Sequence, residues 1–141
     1  DIRLCEDKSR FAVPAAKLGL GYGYDGVRRL SHLVGPSMVK EIFFTSRQFT
    51  AQEAYDMGLA NRVLPPHMLD AYVSDYAKRI SENAPMTMAS IKSITHEIAK
   101  EESEQDLDRI AAEVKACFDS KDYIEGRRAF MEKRKPDFIG A

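Results

Sequence analysis

Cysteine is nearly absent from this chain: Cys5 and Cys117 are the only two among 141 residues, they form no C-x-x-C pair, and no histidine stands near either at ligand spacing. That argues against a structural zinc and makes a reducing compartment such as the cytoplasm the expectation. No run of about 18 apolar residues occurs and no secretory pattern is visible, which argues against a membrane span or secretion. An excess of charge of one sign is missing too. The 21 Lys and Arg offset 22 Asp and Glu to a net charge of −1, without the clustered basic footprint of a nucleic-acid binder. Repeats, low-complexity tracts and flexible linkers are likewise lacking. What is left, 44% hydrophobic and 30% charged residues, suits a single globular domain with a sizeable core.

Glycine is scarce except in one place. Four of the eight glycines fall between positions 19 and 26, in "KLGLGYGYDGVRRL", among Tyr22, Tyr24 and Asp25. Glycine is favoured where φ must be positive or where a ligand approaches the main chain closely. The stretch reads as a ligand-facing loop that feeds the N-terminus of a helix. Asp25 fits two roles there: an N-cap whose side chain accepts an amide N–H, or a chemically active carboxylate. Tyr22 and Tyr24 read as pocket wall or packing.

Around this loop the pattern is strand, loop, then mostly helix. "DIRLCED" alternates, with Ile2 and Leu4 on one face and Arg3 and Cys5 on the other. "RFAVPAAKLGLGYGYDG" reads as loop. Val27, Leu30, Leu33 and Val34 give a helix that Gly35 stops, and "SMVKEIFFTS" gives a second. Thr50 and Glu53 form a T-x-x-E capping box, with Gly58 just past the last turn. "NRVLPP" is a short strand. Three apolar stripes follow: Leu69 to Ile80, then Met88, Ile91, Ile94 and Ile98, then Leu107, Ile110, Ala111, Val114 and Phe118. Ser120 caps a last helix, "KDYIEGRRAFMEKR", stopped by Pro136. His32, His67 and His96 read as surface or capping residues. The opening strand has almost no partner in this pattern, so its sheet is expected to be completed by sequence outside the chain.

Three segments carry a family resemblance. "DIRLCEDKSRFAVPAAKLGLGYGYDGVRRLSHLVG" resembles a strand followed by F-x-x-P-E-x-x-[LI]-G and a glycine-rich entry into a helix. "FFTSRQFTAQEAYDMGLANRVLP" is similar to [LF]-T-[GS]-R-x-[FIL]-x-A-x-E-A-x-x-x-G-L-[VA]-[ND]-x-V-x-P. "SKDYIEGRRAFMEKRKPDF" is similar to S-x-D-x-x-E-G-x-x-A-F-x-E-K-R-x-P-x-F. In this order they resemble the crotonase (enoyl-CoA hydratase/isomerase) superfamily over essentially the whole chain. The resemblance implies an α/β, crotonase-like fold of which this chain is the C-terminal portion, mostly helical with one N-terminal strand and short strand-like segments. Residues 1–65 would end the ββα spiral core and carry the glycine-rich loop; residues 66–141 would form a helical trimerisation region.

What the resemblance implies about chemistry follows. A coenzyme A thioester reacts through an enolate-like state, which needs N–H donors on the oxyanion and an acid or base near the α and β carbons. The donors would come from the N-terminal half of the same protein, outside this chain. Coenzyme A is part of the substrate, and no separate cofactor or metal is implied. The family's second glutamate follows the proline of F-x-x-P-E, and here that place is Ala15, which moves no proton. Some members carry the carboxylate later in the loop, which maps to Asp25. Dihydroxynaphthoyl-CoA synthase shares a similar "RQxxAQEAxDMGL" stretch, but its loop aspartate would fall near Tyr22. Pro14, Ala15, Leu20, Gly21, Tyr22, Gly23 and Tyr24 would line the acyl end. Lys133 would meet a coenzyme phosphate, with Phe130 as the adjacent aromatic. Partners would be an acyl-CoA and further copies in a trimer or hexamer, with neither nucleic acid nor membrane, in the cytoplasm or the mitochondrial matrix. Two other readings remain: a crotonase-fold protein that binds acyl-CoA but catalyses weakly, and a non-enzymatic helical interaction module.

Overall fold

The computed structural model describes residues 1–141 and is predominantly helical. In chain order the elements are β1 (Leu4–Glu6), β2 (Arg10–Phe11), α1 (Tyr24–Thr45), β3 (Phe49–Thr50), α2 (Ala51–Asp56), β4 (Arg62–Leu64), α3 (Pro66–Ser81), α4 (Pro85–Ile98), α5 (Leu107–Asp119) and α6 (Lys121–Glu132). The chain divides into two compact units, Asp1–Ser74 and Asp75–Ala141, with the division inside α3.

In the first unit the opening strand does find a partner. β1 pairs in parallel with β4, Cys5 opposite Val63, and this two-stranded sheet leaves the other edge of β1 without a strand. The Arg3 carbonyl accepts from the Asn61 N–H (2.7 Å), while the Arg3 N–H donates to the Asn61 side chain (2.7 Å). The segment expected to be loop throughout holds two ordered pieces. Arg10–Phe11 pairs antiparallel with Phe49–Thr50, because Phe49, 2% exposed, anchors β3 in the core. Ala15–Leu18 forms a 3-10 turn that Gly19 ends in the left-handed region.

α1 is two helical stretches joined at Gly35, whose φ of 78° and ψ of 159° only glycine adopts readily, with Pro36 opening the second stretch. The expected glycine stop is therefore a bend with helix on both sides. Val39 and Ile42 of the second stretch are buried. The capping box of α2 forms as its spacing predicts: Thr50 accepts from the Glu53 N–H (3.2 Å) and Glu53 accepts from the Thr50 N–H (2.7 Å). Glu53 also pairs with Arg47 (2.8 Å), whose guanidinium stacks 3.7 Å over the Phe49 ring. The Thr50 N–H and then Arg47 hold the Glu53 carboxyl down at about 2.

The second unit is an α4–α5–α6 assembly held by carboxylates that accept main-chain N–H groups. Glu97, outside the apolar stripe read for α4, is 3% exposed. It accepts from Lys100 (2.8 Å), from the Asp106 N–H (2.7 Å) and from Arg109 (2.7 Å), tying the end of α4 to the start of α5, where Asp106 is the N-cap. The expected α4 stripe is correspondingly rotated: Ser90 and Glu97 are buried, whereas Ile91 and Ile98 stay exposed. In α5 Ile110 and Val114 face inward, while Leu107 and Phe118 remain outside. Ser120 caps α6 as expected, accepting from the Tyr123 N–H (3.0 Å). That helix ends at Glu132 with Lys133 left-handed (φ 53°), three residues before the proline expected to stop it. Asp122, 2% exposed, accepts from the Ile139 and Gly140 N–H groups (2.8 and 2.9 Å) and fastens the terminal segment.

Hydrogen bonding by Lys100 first, then by the Asp106 N–H, lowers the Glu97 carboxyl from its ordinary 4.5 to about 2. A depressed carboxyl contributes stability that is present above pH 4.5 and is lost as pH falls towards 2. The melting temperature should therefore decline over that window, and Glu97→Gln should make the decline shallower while lowering the melting temperature at neutral pH. Thermal melts of both proteins across pH 2 to 7 test this, and an unaltered slope would refute it.

Candidate active site

The glycine-rich loop lies in the first unit. Ala15 is 4% exposed and packs into the core at the start of the 3-10 turn, so the place expected to hold a glutamate is apolar and closed. The Lys17 N–H donates to the Pro14 carbonyl (3.1 Å) and the Leu20 N–H to the Ala15 carbonyl (3.0 Å), which fixes the entry to the loop. From Leu20 to Tyr24 every residue is exposed. Behind the loop's entry lies an apolar cavity of about 210 Å³ between Val13, Leu30, Ile42, Phe49 and Leu59.

Two of the four loop glycines sit where a side chain would meet strain or a close neighbour. Gly19 has φ +62°, and at Gly26 a Cβ would stand 3.2 Å from the Tyr22 ring. Gly21 and Gly23 have open space around a Cβ and no positive φ.

Asp25 is not the helix N-cap. Gly23 takes that place, extended at φ −69° and ψ 144°, and no side chain accepts a hydrogen bond there. Asp25 sits one residue inside the first turn of α1 and is exposed. The first-turn N–H groups have no intrahelical partner, and their partial positive charge favours a carboxylate at that spot. Tyr22 and Tyr24 are 52% and 75% exposed, and the Tyr22 ring meets the Phe43 ring edge to face at 4.9 Å between centroids. Phe43 was not singled out from the sequence, where it is one more apolar residue of "SMVKEIFFTS".

Phe130 and Lys133 belong to the second unit. Phe130, 86% exposed, borders an apolar cleft of about 540 Å³ whose walls include Ile94, Val114, Phe118 and Phe138. Of the terminal basic cluster, Arg134 pairs with Glu125 and Glu132, and Lys135 pairs with Glu82. Lys133 has no carboxylate partner and is exposed, which leaves its ammonium available to an anion. His32, His67 and His96 are all exposed. No group of three His, Cys, Asp or Glu side chains is placed to hold a metal ion, and no helix is long and apolar enough to cross a membrane.

The family model for enoyl-CoA hydratase/isomerase matches residues 1–141. The chain belongs to that family. It is 34% identical over 142 residues to the methylmalonyl-CoA decarboxylase of Escherichia coli (strain K12), covering 99% of this chain and 54% of that protein. It is 36% identical over 143 residues to the crotonyl-CoA hydratase of Syntrophomonas wolfei, again covering 99% of this chain and 54% of the relative. An enoyl-CoA hydratase/carnithine racemase from Magnetospirillum magneticum superposes on the whole chain with a TM-score of 0.89 at 33% identity, and 52% of that structure is covered. The chain thus spans about half the length of the relatives it matches, and its architecture is a mostly helical portion of the crotonase fold.

A β-carbon on a left-handed backbone costs about 1 kcal/mol. Gly19→Ala should therefore lower stability by about that amount, whereas Gly21→Ala, with open space around it, should stay within about 0.5 kcal/mol of the parent. Urea unfolding midpoints of the two variants check this pair of outcomes.

Proposed function

We propose that this chain forms part of an acyl-CoA thioester enzyme of the enoyl-CoA hydratase/isomerase type. The reaction runs through an enolate-like state whose oxyanion is held by N–H donors outside residues 1–141, in an N-terminal half of the same protein. Coenzyme A enters as part of the substrate. The segment from Pro14 to Tyr24 lies along the acyl end, and Asp25 takes a proton from water or from the substrate carbon. Lys133 beside Phe130 meets the phosphate of a coenzyme bound by a neighbouring copy. The observation that carries this reading is the position of Asp25: Gly23 occupies the N-cap place, so the carboxylate stands exposed in the first turn of α1 without a capping duty. Its place at a helix N-terminus suits a charged base.

A second reading rests on Ala15. A thioester that already carries a carboxylate on its α carbon reaches the enolate by losing carbon dioxide: the C–C bond breaks, its electron pair enters the thioester enolate, and the α carbon is then protonated. No base is needed to start that reaction, which accords with a buried alanine where hydratases place a glutamate and with the decarboxylase among the relatives.

Asp25→Asn separates the two when assayed with the N-terminal half present. General-base removal should lower kcat on enoyl-CoA substrates by roughly 10²-fold with the fold intact. Retained turnover there, with carbon dioxide released from methylmalonyl-CoA by both proteins, would favour the decarboxylase reading. Assembly gives a further expectation. Ile91, Ile98, Phe118, Phe130 and Met131 leave broad apolar faces exposed in the second unit, so sedimentation of the full-length protein should show a trimer or hexamer, and a monomer at micromolar concentration would contradict it.

A further inference from the structure

In a straight helix the 19 steps from Tyr24 to Phe43 would span about 28 Å, and no side chain near one end could reach the other. Here the Phe43 ring touches Tyr22, two residues before the helix begins, with centroids 4.9 Å apart and planes at 76°. The bend at Gly35 makes this contact, since its φ of 78° and ψ of 159° break the helix and let the second stretch run back towards the loop. The Tyr22 ring is confined on another side by Gly26, where the missing side chain leaves room: a Cβ would lie 3.2 Å from its Cε1 and 3.5 Å from its Cδ1. Tyr22 is 52% exposed on a segment exposed from Leu20 to Asp25, and Phe43 and Gly26 lie against its ring.

We infer that Phe43 is a positioning residue for the active-site loop: through Tyr22, seated against Gly26, it holds the segment from Leu20 to Asp25 in its working geometry. This deepens the proposed acyl-CoA chemistry and rests on that reading for its kinetic consequence, but the latch itself is a geometric claim. An edge-to-face aromatic pair contributes enough to bias a loop between held and loose states, while a loop displaced by an ångström loses catalytic alignment more than it loses affinity. Loosening the latch should therefore reduce kcat more than it raises KM.

The test labels the protein with 3-fluorotyrosine, assigns the Tyr22 fluorine signal by comparison with Tyr22→Phe, and follows it in Phe43→Ala, Phe43→Leu, Phe43→Tyr and Gly26→Ala. The Tyr22 signal should shift in Phe43→Ala, Phe43→Leu and Gly26→Ala, and stay close to the parent position in Phe43→Tyr, which keeps the ring. Phe43→Leu retains apolar volume and serves if the alanine variant fails to fold. With the N-terminal half present, Phe43→Ala and Gly26→Ala should each lower kcat about 3- to 10-fold with KM within about twofold. Because both act through one ring, the double variant should lose little more than the worse single one. A Tyr22 signal indifferent to Phe43 overturns the latch. A signal that moves while kcat does not overturns its positioning role. If the parent protein turns over no acyl-CoA, the functional reading fails on its own account, and the latch stands or falls by the fluorine signal.

Discussion

The first unit depends on the backbone at Gly35. A single residue at φ 78° and ψ 159° turns a 22-residue helical run into two arms. One arm starts at the exposed loop with its first-turn N–H groups free, and the other buries Val39 and Ile42 in the core. A side chain at position 35 would have to adopt a conformation that costs L-residues on the order of 1–3 kcal/mol. Without the bend, Phe43 and Tyr22 would be separated by most of the helix, and the loop would lose its lateral support. The same arm leads into Arg47, whose guanidinium stacks over Phe49, and into the Thr50–Glu53 capping box that starts α2.

The second unit is organised differently. Its fixed points are carboxylates serving main-chain N–H groups: Glu97 at the α4–α5 junction, Asp122 on the terminal segment, and Glu125, which accepts from the Asp137 N–H while pairing with Arg134 and Arg128. The Arg134 and Arg128 guanidinium groups hold the Glu125 carboxyl well below the usual carboxylate range. Such anchors fix where a loop or tail lies without consuming apolar surface. The apolar residues of α4, α5 and α6 are then only half covered by one another: Phe118 and Phe130 remain exposed beside a cleft of about 540 Å³, and Ile124 and Met131 are exposed elsewhere on α6. A chain matching about half of its relatives' length is in keeping with that surplus of apolar surface.

The division of labour within the loop is chemical as much as structural. Ala15, buried and inert, lies where relatives are expected to carry a carboxylate, and the nearest carboxylate along the loop, Asp25, stands in the first helical turn and does not cap it. The N-cap position is held by Gly23, and no side chain caps the helix. The first turn of α1 thus presents an exposed carboxylate beside N–H groups that have no intrahelical partner.

Local features were legible in the sequence because their causes lie within a few residues. The Thr50–Glu53 box, the Ser120 cap, the left-handed Gly58 and the helices from Pro66 onwards each follow from spacing within one or two turns, and the three family motifs are linear by nature. What only the tertiary structure decided involves partners far apart in the chain. Cys5 faces Val63 across a parallel pair, Phe11 faces Phe49, and Phe43 reaches Tyr22. Asp25 reads as a cap or as a base from sequence because residues 23 to 25 all suit a helix start, and the backbone angles alone place the cap at Gly23. The buried face of α4 was misplaced because periodicity ranks Ile91 and Ile98 above Glu97, whereas the fold supplies Glu97 with Lys100, Arg109 and a free N–H at Asp106. Burial of a charge depends on partners that hydropathy along one helix cannot register.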